Sequence, residues 1–307
     1  MNPIIKKLKN ELQRAIIGQE VMIDALLIGL ICEGHILIEG VPGLAKTTTI
    51  NALSKAIGLE SKRIQFTPDL LPSDIIGAEI YNPQNHSFSI KKGPLFTHLL
   101  LADEINRAPA KVQSALLEVM QERQVTIGEK TFPLPAPFMV MATQNPIEQE
   151  GVYPLPEAQL DRFMLKIVVG HNSEKQELEI MRKSATKSFE SVRAVISIDE
   201  IKSLQKSLED IHIDKEIELY MVQLISATRK PSDNIMFGAS PRASIDLYRA
   251  SRARSLLNNK SFVSPDEIAS VIHSVLRHRI VLSYEARAKG VTTDEIISGI
   301  VDGVAVP

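Results

Sequence analysis

The sequence predicts an α/β fold: a wound parallel sheet with inserted hairpins, followed by an all-α helical domain. Three observations carry the prediction. Up to about residue 170, short apolar runs alternate with helical periodicity. One of those runs ends in a glycine-rich turn that opens a helix. Beyond residue 170 helical periodicity dominates, and most of the 17 prolines lie before residue 157. At roughly 150 residues per domain, 307 residues suit two domains. Their expected spans are 1–170 and 171–307.

The elements follow in order. Leu8, Leu12 and Ile16, then Met22, Leu26 and Leu30, recur every four residues and predict two helices up to Glu33. Ile17 and Gly18 belong to the turn between them. Residues 35–39 form a short buried strand, residues 46–57 a helix and residues 63–66 a second strand. Residues 77–94 break the rhythm. Ile80, Phe88 and Ile90 flank the turn-forming Asn82-Pro83-Gln84-Asn85, which predicts a hairpin inserted into the wound fold. Leu99 to Ala102 is a buried strand ending in Asp103. Residues 109–123 form an amphipathic helix with proline in its first turn, and the alternation over 124–129 marks one arm of a second hairpin. Strands at 138–143 and 163–169 complete the sheet. Five or six helices follow, with start signals at Ser264 to Glu267 and at Thr292 to Glu295.

Composition removes several classes. Lys plus Arg is 35 and Asp plus Glu is 37, a net charge of −2, so no broad cationic coat for nucleic acid exists. There is no Trp, and aromatics are only 5%, which leaves little for base stacking. The single cysteine, Cys32, allows no internal disulfide and suits a reducing compartment. The longest apolar stretch, around 25–32, is far short of the roughly 20 residues that span a bilayer. Residues 1–7 (MNPIIKK) lack the order of a secretory signal, so none is expected. A cytoplasmic protein with no membrane insertion is expected.

The chemistry concentrates at strand ends. Gly40, Val41, Pro42, Gly43, Leu44, Ala45, Lys46 and Thr47, with Thr48 following, run from a strand into a helix. Backbone N–H groups and the helix dipole converge there on an anion. Gly40 and Gly43 let the loop turn, Lys46 reaches the β- and γ-phosphates, and the Thr47 hydroxyl ligates Mg²⁺. Ala45 replaces the usual glycine, which is tolerable if it carries right-handed helical dihedrals. Asp103 and Glu104 end a strand at the edge where wound folds bind ligands. Asp103 suits the metal, and Glu104 suits an attacking water. Asn145 ends a third strand. Its amide can hold that water or the γ-phosphate, although an Asn before Pro146 also suits a plain turn. Arg162 and Arg242 have the side chain suited to bidentate phosphate contact; locally, Arg162 could equally pair with Asp161 or Glu157.

These phrases, in this order, resemble the AAA+ ATPases and most closely the MoxR-type family: residues 40–47 (GVPGLAKT), 101–109 (LADEINRAP), 142–146 (ATQNP), 151–163 (GVYPLPEAQLDRF), 275–280 (VLRHRI) and 304–307 (VAVP). The resemblance covers nearly the whole chain and implies ATP and Mg²⁺ as cofactors. It implies that Glu104 is the catalytic carboxylate and Asn145 the first sensor. Arg162 would be a finger acting on a neighbour's ATP, with Arg107 as its competitor, and Arg242 a second sensor on a helical lid. Ile17 and Gly18 would lie beside adenine. A ring, expected to be a hexamer, and client protein complexes, among them proteins with a von Willebrand factor A domain, are the implied partners. Two alternatives stand beside this reading. One is a nucleic-acid motor using Lys91 and Lys92; the other is a slow nucleotide-dependent structural switch.

Overall fold

The structure is a computed structural model describing residues 2–41, 43–84, 86–146, 151–186 and 190–307. Pro42 and Asn85 lie outside the described residues. The chain opens with α1 (Pro3–Ala15) and α2 (Glu20–Ile31). The Asn2 side chain accepts from the Ile4 N–H at 3.0 Å and Pro3 sits in the first turn, so α1 starts where its orphan donors are met.

The wound region follows: β1 (Ile36–Glu39), α3 (Lys46–Ile57), β2 (Ser61–Gln65), α4 (Pro72–Ile76), β3 (Gly77–Asn82), β4 (Ser87–Lys92), β5 (Leu99–Asp103), α5 (Ala110–Glu122), β6 (Gln124–Ile127), β7 (Lys130–Pro133), β8 (Met139–Gln144), α6 (Glu157–Leu160) and β9 (Leu165–Val168). The five-stranded sheet has the order β2-β5-β8-β1-β9, and every neighbouring pair is parallel. The three inner strands β5, β8 and β1 are buried on both faces, as continuous apolar runs require, while the edge strands β2 and β9 are only partly covered. Alternate residues feed two apolar clusters. Ile36, Ile38, Leu99, Leu101, Met139 and Met141 face one side. Leu37, Leu100, Ala102, Val140 and Ala142 face the other, against α5.

Both expected hairpins are present. β3 pairs antiparallel with β4, and β6 with β7. They touch each other: a Cβ on Gly128 would stand 2.4 Å from the Glu79 carboxylate. The tip of the first hairpin exposes Ile80, Tyr81 and Phe88.

The remaining elements are α7 (Glu174–Ala185), α8 (Ile198–Ser207), α9 (Lys215–Ala227), β10 (Ile235–Phe237), α10 (Pro241–Leu257), α11 (Pro265–Leu276), β11 (Val281–Leu282), α12 (Tyr284–Ala288) and α13 (Thr293–Gly303). Capping boxes stand at Ser264 with Glu267 and at Thr292 with Glu295, as the sequence signals. Seven helices are described here instead of five or six, because α12 is a five-residue turn too short for periodicity to reveal. The small β10–β11 sheet was equally hidden. The helical region continues the core: residues of α8 to α11 join α1 to α3 in one apolar cluster. On α10, the basic residues Arg249, Arg252 and Arg254 are part-buried against their own chain. The Arg249 guanidinium donates to the Cys32 carbonyl, Arg254 pairs with Asp24 of α2, and Arg252 stacks over the Tyr248 ring at 4.6 Å. Among the described residues no helix is long and apolar enough to cross a membrane.

Candidate functional site

The sheet order brings three strand ends together. β8 lies between β5 and β1, so Asn145 stands between the acids after β5 and the loop after β1. A cavity of about 380 Å³ opens at this edge, in the range of small-ligand sites. Gly40, Gly43, Leu44, Ala45, Lys46, Thr47 and Thr48 line one wall. Asp103, Glu104, Thr143 and Asn145 line the opposite one. Val41 packs instead against the apolar core.

The local conformations show why these residues are used. A Cβ on Gly40 would meet the Val169 carbonyl at 2.9 Å, so only glycine allows the loop this close to β9. Gly43 has φ +88°, a left-handed backbone. Ala45 departs from expectation: it is left-handed, with φ 56° and ψ 19°, and precedes the first turn of α3. Its Cβ is therefore strained where helical dihedrals were expected, at a cost of about 1 kcal/mol. Glu104 is left-handed too, with φ 57°. Strain of this kind gathers where a site over-determines the backbone.

Lys46 Nζ donates to the Gly40 carbonyl at 2.9 Å. Burial pushes its pKa down, and the charges of Asp103 and Glu104 oppose that shift. The Thr143 hydroxyl donates to Asp103 Oδ1 at 2.6 Å and accepts the Glu104 N–H at 2.9 Å, so one threonine ties both acids to β8. Arg63 on β2 holds Asp103 Oδ2 through Nη2 at 2.7 Å and Nε at 3.2 Å. Gln65 donates to Glu104 Oε2 at 2.6 Å, and Arg107 Nε pairs with the same oxygen at 3.2 Å. Sequence reasoning missed Arg63, Gln65 and Thr143. The available signal was the β2–β5 register, which sets Gln65 opposite Asp103, and the alternation that points Arg63 and Gln65 to one face of β2.

Ile17 and Gly18 are not among the residues lining this cavity. They sit against the chain leaving β9: Gly18, at φ +70°, would place a Cβ 2.6 Å from Asn172 Oδ1. Gln19 donates to the Asn172 side chain at 3.2 Å.

Arg162 and Arg242 also lie elsewhere. Together they line a second cavity of about 280 Å³, with His35, Met120, Arg123 and Arg249 among its walls. His35 precedes β1 and Gly40 follows it. At about 3.3 Å per residue, roughly 16 Å of strand separates the two cavities. They therefore occupy opposite ends of the sheet. Neither arginine is brought to the phosphate loop of its own chain, because the second cavity opens where the strands begin. Arg162 Nη1 donates to the Leu117 carbonyl at 2.8 Å. Arg242 Nη1 lies 3.5 Å from Asp161 Oδ2 and also donates to the Asp161 carbonyl at 3.3 Å.

Sequence and structure comparisons give the family and the fold. A family model described as the ATPase family associated with various cellular activities matches residues 35–165, and an AAA lid domain model matches residues 230–300. Chaperone MoxR1 of Mycobacterium tuberculosis is 46% identical over 97% of this chain and 81% of its own length. The Bacillus subtilis protein YeaC, described as uncharacterized, is 41% identical over 100% of this chain and 96% of its own. A crystal structure of a Cytophaga hutchinsonii protein classed as an ATPase superimposes with a TM-score of 0.93. It is 48% identical and covers 99% of this chain and 95% of that one.

Proposed function

Because the chain belongs to the MoxR-type AAA+ ATPases, we propose that it binds ATP with Mg²⁺ between the loop and the acids, hydrolyses it where subunits of a hexameric ring meet, and uses the cycle to remodel client protein complexes in the cytoplasm. Residues 1–170 hold the nucleotide and residues 171–307 act as the lid. The observation that carries the reading is the division of charged groups between the two sheet ends. Lys46, Thr47, Asp103, Glu104 and Asn145 line one cavity, while Arg162 and Arg242 line another at the far end of the sheet, which suits contact with an adjoining copy's nucleotide.

The residues present fit the cofactors. A lysine ammonium, a helix N-terminus and a left-handed glycine make an anion cradle. Thr47 and Asp103 offer the hard oxygen donors that magnesium prefers and would hold it. Bound there, the ion would supply charge neutralisation on the phosphate oxygens. Lys46 supports the β- and γ-phosphates as a point charge. Glu104 takes a proton from the attacking water, which requires its carboxylate to turn from Gln65 and Arg107 towards the cavity. The Asn145 amide, nearly buried at 7% exposure, orients that water without adding charge. Arg162 and Arg242 complete the charge stabilisation from the next subunit, so assembly becomes the switch for turnover. The nucleic-acid alternative loses support, since Lys92 lies over the Phe96 and Phe132 rings at 4.7 and 5.2 Å.

The test is complementation. Arg162→Ala and Glu104→Gln should each lower kcat about 10³-fold, since an arginine finger is worth ~10³–10⁵. Mixing the two variants creates interfaces with an intact Glu104 on one side and an intact Arg162 on the other. ATPase activity should then recover to a clear fraction of the unsubstituted rate. A mixture as inactive as its components, under conditions where rings form, refutes the shared site.

A further inference from the structure

The phrase VLRHRI at residues 275–280 has no part in the site as described so far. In the structure it delivers Arg279, in the turn after α11, with its side chain only 1% exposed. All of its donors are used. Nε donates to Asp161 Oδ1 at 2.8 Å, and Nη2 donates to Asp246 Oδ2 of α10 at 2.5 Å. The same guanidinium reaches the carbonyls of Asp161 at 3.3 Å, Phe163 at 2.8 Å and Met164 at 3.3 Å. Nη1 also donates back to the Val275 carbonyl at 2.8 Å. His278, next in the phrase, engages the Phe163 carbonyl through Nε2 at 2.8 Å.

These carbonyls flank Arg162 on both sides. Asp161, directly before it, is shared. Its Oδ1 is held by Arg279, and its Oδ2 accepts from the Ser240 hydroxyl at 2.9 Å and lies 3.5 Å from Arg242 Nη1. Ser240 is the N-cap of α10, two residues before Arg242. One buried guanidinium thus fixes the backbone that carries Arg162 and, through Asp161, the helix start that carries Arg242. A packed apolar residue could fill the same space at no smaller stability, since buried ion pairs commonly fail to repay their desolvation. It could not hold four carbonyls and two carboxylates with one group. The planar fork of arginine does so, and an ammonium does not. Catalytic groups need such fixing, because misplacement by about 1 Å can cost 10²-fold in rate.

We propose that Arg279 is a positioning residue that holds Arg162 and Arg242 as one rigid unit presented to the neighbouring subunit's ATP. The proposal rests on the trans reading above. The test uses the same mixture, with Arg162→Ala as the acceptor of arginines and Glu104→Gln as their donor. Arg279→Lys is then introduced into either the donor or the acceptor. The recovered ATPase rate should fall at least tenfold further when the donor carries it than when the acceptor does, while the donor's own ATP affinity stays within about twofold. Equal losses on the two sides, or a loss that tracks weakened nucleotide binding, overturn the positioning role and leave Arg279 structural. Should Arg279→Lys prevent ring formation, Ser240→Ala removes the hydrogen bond to Asp161 together with the cap on the Arg242 N–H. A donor-side loss at least threefold greater than the acceptor-side loss is expected, and equal losses overturn the proposal. If the unsubstituted donor fails to rescue the acceptor, the trans reading falls and this proposal with it. A rescued baseline with symmetric losses overturns the role of Arg279 alone.

Discussion

The two ends of the parallel sheet are built on opposite plans. At the end where strands finish, functional side chains sit on turns with left-handed residues, at Gly43, Ala45 and Glu104. Their partners there are exchangeable: Arg63 on Asp103, Gln65 on Glu104, Lys46 on a backbone carbonyl. At the end where strands begin, Arg162 and Arg242 are braced by the buried group of Arg279, Asp161 and Asp246. A site that admits a ligand needs contacts it can trade. A group offered to another molecule, as proposed for these two arginines, needs contacts it keeps, since looseness there is lost rate.

The largest expected effect breaks the braced end with acid. His35 donates through Nε2 to the Met120 carbonyl and accepts the Val140 N–H at Nδ1, both at 3.0 Å, so the neutral ring is fully satisfied. Burial, its chief cause, lowers the His35 pKa from 6.5 to about 4. His278 is lowered as well, by burial and then by the Arg279 charge. The unfolded chain therefore binds more protons than the folded one below pH 6.5. Stability should be full above 6.5 and fall as pH drops towards 4, by up to about 3 kcal/mol for His35 alone. Urea unfolding at several pH values measures this. His35→Gln, which can mimic both hydrogen bonds, should flatten the slope, and an unaltered slope would assign it elsewhere.

At the exchangeable end, Lys46→Ala removes the one cation from the phosphate loop. ATP affinity should drop roughly 100-fold, the worth of a charge-assisted contact, with the melting temperature little changed. Equilibrium binding of a fluorescent nucleotide reads it, and retained affinity would place the phosphates elsewhere.

Arg63→Ala sharpens the contrast. Freed from the guanidinium, Asp103 should meet Mg²⁺ more readily. The Mg²⁺ concentration for half-maximal nucleotide binding should fall about threefold, because an ion pair to a half-exposed arginine is worth under about 1 kcal/mol. A rise would mean that Arg63 itself supports the phosphates. The smallest effect is Ala45→Gly. Relief of the left-handed strain should raise stability by at most about 1 kcal/mol with ATP binding intact; a clear loss in thermal unfolding would show that position 45 is not strained.

The same contrast explains what the sequence disclosed. The loop at 40–48, the acids after β5 and Asn145 are written in contiguous phrases, each a strand followed by a turn, so local chemistry reveals them. The sheet and both hairpins follow from apolar runs and turn residues for the same reason. Arg63 and Gln65 escaped notice because they reach the acids through strand register, across some 40 positions of chain. The lid position of Arg242 is tertiary, set by α10 packing on α2 and by Asp161, and no periodicity reports it. The partners of Arg249 and Arg254, the Cys32 carbonyl and Asp24, lie more than 200 residues away, so nothing local announces them. Short pieces such as α4, α12 and β10 exist through contacts with their surroundings, not through patterns of their own.

Gly40 has no side chain to keep it off the Val169 carbonyl. The first residue of the loop therefore rests directly on the last residue before the chain departs for its helical half. Anything that seats itself in the loop leans on that exit, and one methyl group at position 40 would wedge the two apart.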